Sequence, residues 1–302
     1  MAMISVSEAA RKWGISEPLV RKFCREDRIP EAEFLYGVWF IPDDAPLPTN
    51  GGNANSTPPL LRRMLRQQRT GRGGIYDYLQ TNLAYSSNRM ASNRLTLNQV
   101  EFLYNKDKVL VTNEKMKLND FIETRNHFIC VNFVLDNAMK KLKPNFFTKL
   151  HSTLFSDLCG HRHKAQATGT YRTSYPPFKT GLNISPDQIG AALTAMCQEY
   201  EAKKSVSLQD ILDLHVLFER IRPFEDGNGR IGRLLMLKEC LRHDFTPIII
   251  DDKHRSDYLN GIAQWDTDRL PFLELCMTAQ SHFQAHQELD HLLEMHARMM
   301  RE

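Results

Sequence analysis

Residues 221–233 read Ile221-Arg222-Pro223-Phe224-Glu225-Asp226-Gly227-Asn228-Gly229-Arg230-Ile231-Gly232-Arg233 and hold the groups in this chain best suited to chemistry on an anion. Asp226-Gly227-Asn228-Gly229 offers a tight turn whose glycines permit positive φ and let main-chain N–H groups approach a ligand. If a helix starts there, its first N–H groups are unpaired and its dipole favours negative charge. Arg230 and Arg233 stand three apart, on one helical face, and add two guanidinium forks for phosphate oxygens. Asp226 at the mouth is the candidate ligand for a phosphate-bound magnesium ion. Together these read as a cradle for the phosphates of a nucleotide. The plainer alternative is a polar corner between two helices with a surface arginine pair.

Two helices must present such a corner, and the flanks have the period for them. Ile211, Leu212, Leu214, His215, Phe218 and Ile221 recur at helical spacing before it, and Ile231, Leu234, Leu235, Leu237, Cys240 and Leu241 after it. Pro223 stops the first helix.

This stretch resembles the signature of Fic-domain proteins, His-Pro-Phe-x-Asp/Glu-Gly-Asn-Gly-Arg-x-x-Arg, through Pro223, Phe224, Asp226, Gly227, Asn228, Gly229, Arg230 and Arg233. The resemblance implies transfer of AMP from Mg-ATP to a hydroxyl side chain of a protein target, or of the chain itself. Asp226 would hold Mg2+, the turn from Gly227 through Arg230 the α- and β-phosphates, and Arg233 the γ-phosphate of ATP, with Phe224 beside them. One position departs: Arg222 stands where the family has the histidine that acts as general base. A guanidinium stays charged because its pKa is above ~12, so Arg222 cannot abstract a proton as imidazole does. It can still hold a phosphate oxygen, and the expectation is a nucleotide binder with little or no transfer.

Other segments extend the resemblance. Tyr85 to Thr96 is similar to the inhibitory helix that some members carry before the core, whose pattern is Ser/Thr-x-x-x-Glu-Gly/Asn. Ser87 begins it, Asn93 lies near its end, and the glutamate position is Ala91, so the brake is expected to be absent and Arg233 to lack an anionic partner from this helix. Both departures fit loss by descent; they also fit deliberate silencing of an unbraked enzyme, and the leading Met1-Ala2-Met3 is compatible with an added codon. Gly169-Thr170-Tyr171-Arg172, followed by Tyr175-Pro176-Pro177-Phe178, resembles the family's flap, a short hairpin onto which a target segment docks as an added strand. Tyr258 and Asn260 fall in a segment that resembles the part closing over adenine. His151 and residues 122–127 are read as packing.

The first 45 residues form a unit of their own. Ser5 or Ser7 caps a short helix, Gly14 turns, Ser16 caps a second helix, and residues 34–42 read as a hairpin with Gly37 near its turn. This resembles a MerR-like or excisionase-like winged helix, which implies DNA contacts from Arg21, Lys22 and Arg25, with Arg28-Ile29-Pro30 and the hairpin as further matches. Residues 46–59 read as a linker, and the arginines at 62, 63, 66, 69 and 72 as a solvated helix face.

Composition sets the outer bounds. With 302 residues and 42% hydrophobic content the chain supports one large domain and one small one. A net charge of +3 does not by itself argue for nucleic acid or membrane. No apolar run approaches ~18–20 residues and no signal peptide is evident, so a cytoplasmic protein is expected. Six scattered cysteines without a C-x-x-C pair read as reduced thiols, and His282 with His286 as solvated helix positions. The expected architecture is a mainly α-helical Fic core over residues 60–302, with a short β-hairpin flap, behind a winged helix-turn-helix at 1–45. The alternative, from another class, is a DNA-binding regulator whose Fic domain senses nucleotide or forms a homodimer.

Overall fold

The computed structural model of the chain describes residues 3–25, 29, 32–35, 38–47, 57–70, 74–110, 116–158, 168–175, 182 and 184–299. Contacts divide it into Met1–Pro59 and Leu60–Glu302. Arg28, Pro30, Gly37, most of the linker, Arg72, Cys159, Pro176-Pro177-Phe178 and the Arg25 side chain lie outside the described residues.

In the first unit, strand β1 (Met3–Ser5) leads into α1 (Val6–Trp13) and α2 (Glu17–Arg25), then β2 (Glu33–Leu35) and β3 (Val38–Pro42). Ser5, not Ser7, is the cap: Ser5 Oγ accepts from Glu8 N–H at 3.2 Å while Ser5 N–H donates to Glu8 Oε2 at 2.7 Å. Gly14 ends α1 in the left-handed region at φ 66°, where a Cβ would be strained. β3 lies between β1 and β2 in an antiparallel sheet. Val6, Ala9, Val20, Phe23, Ile29 and Ile41 close the core between helices and sheet.

The second unit is helical: α3 (Pro59–Thr70), α4 (Ile75–Met90), α5 (Leu97–Lys106), α6 (Leu118–Asn137), α7 (Pro144–Leu154), α8 (Ile189–Glu201), α9 (Leu208–Ile221), α10 (Asn228–Arg242), α11 (Arg255–Gln264) and α12 (Leu270–Met299). α10 is central: it packs on α9, α6, α4 and α7, and it is buried almost all round from Asn228 to Leu241, as a helix enclosed by others must be. That burial includes Lys238 and Glu239, which survive there as a pair, with Nζ donating to Oε1 at 2.6 Å. No described helix is long and apolar enough to cross a membrane.

The main helices follow the apolar periods. α5 is among those that they do not mark, although Thr96 and Gln99 form a capping box that the sequence displays. Of the expected flap, residues 168–175 form turns and bends, with Arg172 N–H donating to Pro223 O at 2.8 Å, and residues 176–181 lie outside the described residues.

Phe147 is fully buried where α7 meets α9, its ring 4.8 Å from that of Phe218. Phe147→Ala is expected to lower unfolding free energy by about 3–5 kcal/mol, read from denaturant midpoints; a loss below about 1 kcal/mol would contradict this packing.

Candidate functional site

The site forms where α9 ends and α10 begins. Ile221 is the last residue of α9, and Arg222 caps it in the left-handed region at φ 44°, a conformation costly for a residue with a Cβ. Three interactions hold the chain there. Arg222 N–H donates to Phe218 O at 3.1 Å. Arg172, nearly fully buried, donates from Nε to Arg222 O at 2.8 Å and spends its remaining forks on Ser174 O and Ile184 O. Glu225 accepts from Thr173 N–H at 3.2 Å and Ser174 Oγ at 3.1 Å.

The turn is closed from inside. Phe224 N–H donates to Asn228 Oδ1 at 3.0 Å, and Asn228 Nδ2 donates to Phe224 O at 2.7 Å. Gly227 stands at φ 81°, and a Cβ there would come within 2.5 Å of the Phe155 ring. α10 therefore begins with no side chain capping its N-terminus and no acidic residue in its first turn, which leaves its first amides available to an anion.

A cavity of about 480 Å³ opens against that N-terminus. Arg222, Asp226, Gly227, Asn228, Gly229, Arg230, Arg233 and Tyr258 line it, joined by Met90, Ala91, Ser92, Glu219, Arg255 and Leu259. The predicted positions differ in what they do within it. Arg233 Nε donates to Ser87 Oγ at 3.0 Å, its NH2 to Ser87 O at 2.9 Å, and its NH1 to Tyr258 OH at 3.4 Å. Ser87 thus anchors the second arginine. Arg230 is held by Glu123 Oε2 at 2.8 Å and stands 3.6 Å from Asp226 Oδ2. Asp226 is exposed, and its Oδ1 accepts from Gly227 N–H at 2.6 Å. Ala91 is exposed on the cavity wall. Asn93 is buried and donates from Nδ2 to Asp120 O at 2.8 Å.

Three expectations need correction. Phe224 is core: it is 1% exposed and stacks on His151 with ring centres 4.2 Å apart. Tyr258 is buried in the cavity wall, and its hydroxyl bonds His215 Nε2 at 2.8 Å and steadies Arg233 rather than standing free for a ligand. Asn260 faces a different cavity, between α11 and α12. Glu123 and Glu219 were not singled out from the sequence. Glu123 lies 107 residues from its partner and carries no local signal, whereas Glu219 lies in the last turn of α9, directly before the motif.

Among the described flap residues, Gly169 N–H donates to His151 Nδ1 at 2.8 Å, Tyr171 packs on the core, and Thr170 is exposed. His282 lines the cavity between α11 and α12, and His286 stacks on Tyr78 at 4.0 Å. Among the described residues no cluster of three His, Cys, Asp or Glu side chains could hold a metal, so a cation at Asp226 would take most of its ligands from phosphate and water.

Burial sets the protonation of this region. His215 is pushed down to about 3 by burial and the Arg233 charge, and His127 likewise to about 3 by burial with Arg230 and Arg233. His151 is lowered to about 4 by burial. Burial raises the carboxyl of Glu219 above its ordinary value.

Residues 141–240 match the model of the Fic/DOC family. A protein adenylyltransferase Fic from Nematostella vectensis is 25% identical over 190 residues, covering 60% of this chain and 42% of that protein. Another from Drosophila grimshawi is 31% identical over 136 residues, covering 41% of this chain and 27% of that protein. The chain thus spans less than half the length of these curated relatives. Among solved structures, a Fic domain containing signaling protein from Bacteroides thetaiotaomicron superposes with a TM-score of 0.60 at 24% identity, covering 74% of this chain and 94% of that one, which shows the fold.

A histidine kept neutral in the folded state stabilises it above the unfolded pKa of 6.5, and that stability is lost as pH falls toward the folded value of about 3. From pH 7 to about pH 5, His127 is expected to cost about 2 kcal/mol of stability. Chemical denaturation of the native chain and His127→Gln at both pH values checks this; an equal drop in the two proteins would contradict it.

Proposed function

From the premise that this chain is a Fic-domain protein, we propose that it binds Mg-ATP at the start of α10 and is an AMP transferase scaffold whose transfer step is silenced at position 222. The observation that carries this reading is the uncapped N-terminus of α10 opening into a cavity shared by Arg222, Arg233 and Arg255. Helix amides and guanidinium groups around one cavity fit a polyphosphate, and the glycines at 227 and 229 let the main chain approach it.

The residues divide the work. The amides from Asn228 to Arg230 bind phosphate oxygens, and Arg233, held by Ser87 and Tyr258, is fixed in advance for the far end of the phosphate chain. Arg230 is largely neutralised by Glu123, so it braces the turn more than it binds. Among the described residues Asp226 is the exposed carboxylate lining the cavity and would hold Mg2+, which when bound supplies charge neutralisation and orientation of the phosphates. The missing part is the base: Arg222 cannot take a proton from a target hydroxyl. His151 is stacked on Phe224 of the turn, and its Nδ1 accepts from Gly169 N–H, so it does not replace that base.

A second reading rests on the first unit, where the exposed Arg21 and Lys22 share α2 over a closed core. It makes Met1–Pro59 a nucleic-acid-binding module, although Arg21 also pairs with Glu17 at 3.0 Å.

Isothermal titration with ATP and magnesium is expected to show binding that Arg233→Ala weakens by about tenfold or more. Labelled ATP is expected to leave the native chain unlabelled and to label Arg222→His; tight binding by Arg233→Ala, or no gain with Arg222→His, would contradict the reading. For the second reading, a gel shift on duplex DNA that weakens steeply between about 50 and 200 mM salt is expected, and no shift at low salt would rule it out.

A further inference from the structure

Glu219 lines the phosphate cavity, yet nothing in the reading above uses it. Its Oε1 is closed off from solvent and has no hydrogen-bond partner among the described residues. A buried carboxylate oxygen in that state is costly and calls for a reason. The atom reaches across to α10 where α10 has no side chains. A Cβ on Gly232 would lie 2.9 Å from it, and one on Gly229 would lie 3.5 Å from it and 3.1 Å from Arg233 NH1. Carboxyl and guanidinium therefore face the same bare strip of helix. Arg233 directs its bonds to Ser87 and Tyr258 instead. Any phosphate laid against Arg233 meets Glu219 as well.

We infer that Glu219 sets how many phosphates the site accepts: as a carboxylate it opposes a terminal phosphate at Arg233 and favours a nucleoside diphosphate, and on taking up a proton it donates to that phosphate and admits the triphosphate. This rests on the phosphate reading of the cavity and deepens it.

The groups facing Glu219 are few. On its own helix they are His215 and Arg222, on α10 Arg233, and on α11 Tyr258, with Arg255 at the cavity mouth. His215 is neutral well below pH 6, since burial holds it at about 3, and burial pushes the Tyr258 phenol upward. Burial raises the Glu219 carboxyl above its ordinary value, so among these groups it is the one that takes up a proton more readily than an exposed carboxyl does. Bound phosphate raises it further, so triphosphate affinity falls as pH increases.

The test is titration of the full chain with ADP and with ATP, both with magnesium, from about pH 5 to pH 8, in the native protein and Glu219→Gln. The free nucleotides titrate too, and the glutamine variant subtracts that contribution. Raising the pH is expected to shift the native preference toward ADP by about tenfold, with no such shift in Glu219→Gln. The same ADP-to-ATP ratio in both proteins at every pH would overturn the inference while leaving the phosphate site intact. Failure of either nucleotide to bind either protein would overturn the phosphate reading, and the inference with it. Should Glu219→Gln not fold, Glu219→Ser serves as the variant that cannot titrate, and the same outcomes decide.

Discussion

The carboxamide of Asn228 bonds both the N–H and the C=O of Phe224, and the rest of the site depends on that closed loop. By satisfying the main chain of the turn from within, it lets the residues between helices reverse direction with few other bonds. Gly227 completes the reversal at a φ that side chains resist. α10 then starts with amides that no side chain covers. Arg172 performs the matching task from outside, tying the carbonyls of Arg222 and Pro223 to the segment that the sequence had marked as a flap.

Charge is the second constraint. α10 carries Arg230, Arg233, Lys238 and Glu239 into the interior, and each needs a partner because a buried unpaired charge costs several kcal/mol. Arg230 finds Glu123, Lys238 finds Glu239, and Arg233 finds neutral acceptors in Ser87 and Tyr258. The difference matters. An arginine already paired with a carboxylate has less to offer a ligand, whereas one held by neutral acceptors keeps its charge for an anion. Arg233 is therefore the stronger phosphate ligand of the two, although spacing alone ranked them equally.

Much of the fold was legible. Apolar periods mark α4, α6, α7, α9, α10 and α12, since each helix hides one face or more against the core. Short elements were less so: β1 has three residues and gains its stability from pairing with β3, which no local pattern reports. At the site, the turn and its arginines were visible as residue types. Their partners were not, because Ser87, Glu123 and Arg172 come from distant segments and meet the motif only after folding. Phe224 and Tyr258 show the same limit from the other side. Both belong to segments that read as nucleotide-contacting, yet burial turns one into core and the other into a support for Arg233.

The most direct measurement is a crystal structure of the full chain grown with magnesium and a non-hydrolysable ATP analogue. The account predicts phosphate density against the amides of Asn228 and Gly229 and within hydrogen-bond reach of Arg233, with Asp226 turned toward a cation. Density seated only in the cavity between α11 and α12, or no phosphate density at the first turn of α10 in the presence of saturating nucleotide, would contradict it.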